Sequence, residues 1–326
     1  MITSKGNSRI RNLVALKRKA SERNLQDVFL VEGIKMFREI PADRLVEVYA
    51  SESFLKSEAG RKAVEAAKAE AAEAGRRSVE AAKAEAGKLP GRVPGGHGVL
   101  FETVSDDVFQ GLSDTQSPQG VMAVVRQKRY RFEDLLGGEK TWEAAGDRET
   151  GDDGQTREQT GGRDGAGNPG GRTPLIMVLE NLQDPGNLGT IIRTAEGAGV
   201  TGILMSKGTA DLYNPKVTRS TMGSIFRMPF LYTDDLAGVI GDMKKAGIAI
   251  CAAHLQGKNT YDGEDYTKGT AFLIGNESRG LTDEIASLAD IRVRIPMAGR
   301  VESLNASVAA AILMYEANRQ RRQGRE

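Results

Sequence analysis

From Pro174 onward, short apolar runs keep returning, and each stops at a polar or glycine-bearing segment. The runs are Leu175 to Glu180, Gly202 to Met205, Phe230 to Tyr232, Ile248 to Ala253, Ala271 to Gly275 and Ile291 to Ile295. Each is too short for an ordinary helix. Their near-continuous apolar character reads as strands buried on both faces, not as alternating half-exposed strands. Helical patterns fill most of the gaps, notably Leu236 to Lys245 and Ala306 to Arg319. Another spans Asn187 to Gly197, with Asn187 suited to its N-cap and Gly199 close to its end. The expected architecture is therefore α/β, a parallel sheet with helices on both faces.

Open sheets of this kind build ligand sites at the carboxyl ends of their strands. Three such ends carry converging polar groups. The first is Asn187-Leu188-Gly189-Thr190-Ile191-Ile192-Arg193-Thr194. The second is Ile274-Gly275-Asn276-Glu277-Ser278-Arg279-Gly280. The third is Ile295-Pro296-Met297, running on to Glu302-Ser303-Leu304-Asn305-Ala306-Ser307. The first lacks both G-x-G-x-x-G and a P-loop lysine, so it is not an ordinary phosphate-binding turn.

In order and spacing these segments resemble the three motifs of the SpoU/TrmH branch of the SPOUT RNA methyltransferases, over about residues 174–318. Phe29-Leu30-Val31-Glu32-Gly33 and Ser117-Pro118-Gln119-Gly120-Val121 look, more loosely, like the substrate-binding domain that often precedes this catalytic domain. The resemblance implies a C-terminal trefoil knot, a homodimer packed through the final helix, and S-adenosylmethionine (SAM) as methyl donor. It assigns Arg193 to the target ribose and its hydroxyl. It places Glu277, Ser303 and Asn305 in the active site beside Asn187. SAM is then expected against Gly275, Ile295, Met297, Leu304 and Asn305, with no metal. One departure is tolerable: Leu188-Gly189-Thr190 stands where a glycine-alanine pair is common, and Gly189 and Thr190 keep the turn small. The implied reaction is methyl transfer to a ribose 2′-hydroxyl of structured RNA, 23S rRNA first and tRNA second. Arginine is an awkward base because its pKa exceeds about 12. Positioning of phosphate and ribose, with stabilisation of developing charge, is the safer physical role. A non-catalytic RNA-binding protein of the same fold is the rival reading, and the presence of Arg193, Glu277 and Asn305 argues against it.

The rest of the chain fits this picture. Its net charge is +1, but the basic residues are clustered. Lys5, Arg9, Arg11, Lys17, Arg18, Lys19 and Arg23 crowd the start, Arg126 to Arg131 forms a second run, and Arg319 to Arg325 a third. One run alone would read as a solvated face; three beside these motifs point to phosphates. Residues 1–130 read as a smaller α/β RNA-binding domain, with a basic helix from Ser8, capped by Ser8 itself, and strands at Val28 to Val31, Leu45 to Ala50, Val99 to Thr103 and Gly120 to Val125. It carries an Ala/Glu/Lys-rich helical insertion over 57–98, in which Ala59 to Ala71 recurs nearly unchanged as Ala74 to Ala86. Residues 131–173 read as a Gly-rich flexible linker, with Trp142 as its one large apolar side chain, and 174–326 as the catalytic domain. Cys251 is the single cysteine and reads as a small buried hydrophobe. Cysteine and histidine are too scarce for a typical zinc site. No stretch approaches the roughly 18–20 apolar residues that span a bilayer, and the polar N-terminus lacks the apolar core of a secretory signal. A reducing cytoplasm is the expected compartment.

Overall fold

The computed structural model describes residues 1–85, 98–113, 115, 117–137 and 172–324, with side chains described only to residue 77 in the long helix that ends at Glu85. Two sheets organise it. The N-terminal sheet has four strands, β1 (Val28–Glu32), β2 (Leu45–Ser51), β3 (Leu100–Val104) and β4 (Val121–Arg126), in the order β1-β4-β2-β3. β4 runs antiparallel to β1 and β2, and β3 lies parallel to β2. The basic first helix, Ser8–Arg18, lays Ile10, Leu13 and Leu16 on this sheet. Its N-cap is Asn7, one residue before the expected Ser8; the Asn7 side chain accepts from Arg9 N. The first copy of the repeat and the second as far as Glu85 fall in one helix, Glu58–Glu85, which buries Ala63 and Val64 near its start.

The second sheet has seven parallel strands: β5 (Leu175–Leu179), β6 (Gly202–Ser206), β7 (Phe230–Thr233), β8 (Ala249–Ala253), β9 (Asn259–Thr260), β10 (Thr270–Ile274) and β11 (Ile291–Arg294). Their order is β7-β6-β5-β10-β8-β11-β9. The two-residue β9 carries no apolar run, which is why sequence pattern misses it. Both faces are covered, and β5 shows how. Leu175, Met177 and Leu179 join the core under helices Pro185–Ala198 and Ala306–Gln323, whereas Ile176 and Val178 point to helix Leu236–Lys245 on the other side. That is the period-2 alternation of a strand buried twice. Cys251 is buried in the core, and desolvation pushes its thiol up to about 12, so it packs as a hydrophobe.

The expected linker is corrected at its start. Residues 132–135 form a helix, Phe132–Leu135, that belongs to the catalytic sheet. Leu135 is fully buried there, and its carbonyl accepts from Thr201 Oγ1 at 2.7 Å. Two apolar residues, Phe132 and Leu135, are enough to dock so short a helix. Arg172 N donates to Gly137 O at 3.2 Å, so the chain leaves and re-enters at neighbouring points. Residues 138–171, with Trp142, lie outside the described residues, as do 86–97 of the expected insertion. Among the described residues no helix is long and apolar enough to cross a membrane.

Candidate active site at the ends of three strands

β6 and β7 lie on one side of β5, and β10 on the other. Loops leaving β5 and β10 therefore part above the sheet, as at the switch points where open sheets hold ligands. The three motif segments meet here. Helix Pro185–Ala198 starts two residues before the expected Asn187. Asp184, not Asn187, is its N-cap: the Asp184 carboxylate accepts from Asn187 N at 2.8 Å, and Pro185 occupies the first turn. Local capping chemistry is thus satisfied without the Asn187 side chain, which is free to do something else.

What it does is join the motifs. Asn187 is 8 % exposed. Its Nδ2 donates to Glu277 Oε1 at 3.0 Å, and its Oδ1 accepts from Asn305 Nδ2 at 2.9 Å. Asn305 in turn caps the last helix, Oδ1 accepting from Ser307 N at 2.9 Å and Ser307 Oγ at 2.6 Å. Glu277 also accepts from the main-chain N–H of Gln183 (3.1 Å) and Asp184 (3.0 Å). Partial burial pushes its carboxyl up, but the hydrogen bonds from Asn187, Gln183 and Asp184 outweigh it and hold the group below the usual glutamate value.

A second set of bonds was not legible beforehand. Glu180, buried at the end of β5, accepts from Thr282 N at 2.8 Å and Thr282 Oγ1 at 2.7 Å. Asn276 Nδ2 donates to Asn181 O at 2.8 Å. These fix the 276–282 turn against β5. The available signal was an acid closing a fully apolar strand, a placement that demands a partner. Gly275 also has a reason within the fold, beside its expected place against SAM. A Cβ there would stand 2.1 Å from Gly280 C and 2.2 Å from Leu281 N. The glycine is required by the turn's own backbone, whatever else approaches it.

The Arg193 side chain stands exposed on the same helix and makes no hydrogen bond or ion pair with the described residues. Ser303 is exposed too and takes no part in the Glu277–Asn187–Asn305 chain. Ile295, Met297 and Leu304 are half-buried, and from Pro296 to Leu304 neither main chain nor side chains hydrogen-bond to described residues. His254 is satisfied locally, its Nδ1 accepting from Gln256 N at 3.1 Å. A cleft of about 290 Å³ lies in the N-terminal domain, between Phe37, Leu45 and the long helix, and none of these groups lines it.

A parallel sheet whose carboxyl ends gather these three segments is the catalytic architecture the motifs anticipated. The chain belongs to the SpoU/TrmH RNA methyltransferases: residues 174–315 match the SpoU rRNA Methylase family, and residues 7–123 match the MRM3-like substrate binding domain. It is 29% identical over 218 residues to the 23S rRNA (guanosine(2553)-2′-O)-methyltransferase RlmP of Bacillus subtilis, covering 67% of this chain and 72% of that one. A tRNA/rRNA methyltransferase of Synechocystis is 39% identical over 146 residues, 45% of this chain and 53% of its own. The chain thus spans about half the length of that relative. The crystal structure of an AdoMet-bound rRNA methyltransferase from Sinorhizobium meliloti superposes with TM-score 0.70 at 26% identity, over 98% of this chain and 97% of that one.

Proposed function

We propose that this chain transfers the methyl group of SAM to a ribose 2′-hydroxyl of 23S rRNA. The observation that carries the reading is the hydrogen-bonded line Glu277–Asn187–Asn305, which locks all three motif segments together beside a partnerless, exposed Arg193. The residues present suit SAM. Half-buried Ile295, Met297 and Leu304 offer apolar cover for an adenine, and the unpaired main chain from Pro296 to Leu304 offers donors and acceptors for its edge and ribose. Gly275 and Asn305 close the same site. Bound SAM supplies an electrophilic methyl group.

The chain's own residues do the rest by placement. Arg193 presents five N–H donors to phosphate and ribose and stabilises negative charge developing on the 2′-oxygen. Ser303, at the exposed rim, addresses the same nucleotide. Glu277 is a positioning residue. Its oxygens are committed to three N–H donors and its basicity is lowered, so it holds Asn187 and the start of the Arg193 helix in place.

The N-terminal domain, with its basic first helix and Arg126–Arg131 run, grips the RNA. The last helix leaves Val308, Ile312 and Tyr315 incompletely covered on one face, which supports a homodimer packed through it. The return of that helix from β11 to the Pro185–Ala198 helix, across the loop after β10, supports the knot. A ribosomal RNA substrate supports a cytoplasmic location. Mapping of 2′-O-methylation across total RNA, with and without the protein, tests the reading. One 23S position should lose its methyl. Loss in tRNA alone would reassign the substrate, and no change in any RNA would overturn the activity.

A further inference from the structure

Three non-glycine residues among those described have positive φ: Asp27 at 55°, Asn181 at 53° and Met222 at 50°. Aspartate and asparagine visit this region at low cost because their short polar side chains bond locally; methionine has no such compensation. Met222 is also 42 % exposed, against the usual burial of its residue type. It follows Thr221, which is fully buried, and precedes Gly223 at φ 98°, which extends the unusual backbone. The fold therefore holds an apolar side chain outward at a conformational cost. Strain of this kind persists where the surroundings over-determine it, and it clusters at ligand-contacting sites.

Its neighbours say which site. Ser220 packs on Gly189: a Cβ on that glycine would meet Ser220 Cβ at 2.7 Å and Val217 O at 3.0 Å. Further along, Arg227 bonds Glu196 through Nε and through Nη2 at 3.2 Å. Residues 220–227 therefore run beside the helix from Gly189 to Glu196. Arg193 lies between those two contacts on the helix, as Met222 lies between them on the segment. The substrate domain reaches the same place, since Gly223 abuts the Glu39 side chain, which also pairs with Arg227 Nη1 at 2.5 Å.

We propose that Met222 is a substrate-contacting residue that packs against the base of the nucleotide whose ribose Arg193 engages. This rests on the methyltransferase reading above. RNA enzymes that act on single nucleotides hold unstacked bases by apolar and stacking contact. A thioether chain is flexible and polarisable and suits that use. Presented from a strained turn, it meets the base while the ribose faces Arg193.

The test uses the full chain and 23S rRNA. Limited peroxide oxidation, read by peptide mass spectrometry, should modify Met222 in the free protein and spare it with rRNA bound. Met222→Gly, which relieves the backbone, should keep or raise the melting temperature yet raise the KM for RNA by roughly tenfold, as loss of a partly buried apolar contact would. SAM affinity should not move. Met222→Ala should share the KM defect, and Met222→Leu should recover most of it. Three results would overturn the proposal: equal oxidation with and without RNA, protection in the free protein (which places Met222 under a second copy), or unchanged KM in both small variants. Absence of any transfer by the wild type would instead remove the methyltransferase reading, and the proposal with it.

Discussion

In the proposed reaction Arg193 is the residue on which the chemistry turns, and its isolation makes its effect separable. Nothing in the fold depends on its guanidinium, since it bonds to no described residue. Arg193→Ala should therefore lower single-turnover transfer by a factor of about 10²–10³, the usual consequence of removing one charge-stabilising donor. SAM affinity by calorimetry and the melting temperature should stay at wild-type values. Arg193→Lys should also fail, because an ammonium cannot reproduce the planar fork. Glu277 behaves in the opposite way, since its bonds are internal. Its folded pKa lies below the unfolded value near 4.3, so its contribution to stability is present above that value and is lost as pH falls through the folded one. Melting temperatures from pH 6 down to about pH 3 should fall more steeply for the wild type than for Glu277→Gln, and transfer by that variant should be reduced. Equal slopes would mean that Glu277 is no more bonded in the folded chain than in the unfolded one.

At the scale of elements, the site depends on how closely helix Pro185–Ala198 approaches Pro215–Ser220. Gly189 is the contact. A Cβ there would reach 1.6 Å from Ser220 Oγ, which can rotate away, but also 2.7 Å from Ser220 Cβ, which cannot. Gly189→Ala gains about 1 kcal/mol of helix propensity and meets an overpacking cost of about 1–3 kcal/mol. The cost should win, with a net loss in denaturant melts. Ser220→Gly in the same chain should recover part of it, and a double-mutant cycle would read the coupling. Failure of that rescue would move the clash elsewhere. The same helix shows what pattern reading can and cannot reach. Its apolar residues and its end near Gly199 were legible, because periodicity and residue type carry them; the site roles expected of Asn187 and Arg193 came from the resemblance of the motifs, not from pattern. The helix's true start was not legible. Asp184-Pro185 competes with Asn187 for the cap and wins, since proline is preorganised for the first turn. Likewise the strands of the second sheet were legible from their apolar runs, except β9, which has none. The bond from Asn305 to Asn187 joins residues 118 positions apart. No local signal encodes it, and only the meeting of three strand ends brings it about.

The whole molecule is less divided than its two sheets suggest. Phe29 of β1 packs on Tyr213 with ring centroids 4.6 Å apart and on Phe226 at 6.2 Å, so one apolar core runs through both domains. Arg44 lies over Phe29 and Phe226 at 5.9 and 5.7 Å and donates to Arg126 O at 2.8 and 3.0 Å. The Gly-rich connection reads as a flexible linker between the domains, yet the aromatic seam joins them directly. The connection itself begins and ends at hydrogen-bonded neighbours, Gly137 and Arg172. Replacing residues 138–171 with a short Gly/Ser loop should therefore leave SAM affinity and melting temperature unchanged. A drop in either would show that Trp142 or its surroundings are docked. The seam makes the stronger demand. The Arg23 side chain is 4% exposed and ion-pairs with Asp211 across the domains, while its Nη1 donates to Leu16 O at 2.6 Å. Asp211→Ala strands a buried cation without its carboxylate. With Asp211 itself one-third exposed, the cost should be about 1–3 kcal/mol, less than for a fully buried pair. Because the core is continuous, that loss should lower a single calorimetric transition for the entire chain. Two transitions, with only one of them displaced, would mean that the domains unfold separately and that the N-terminal domain is not held rigidly against the Arg193 helix.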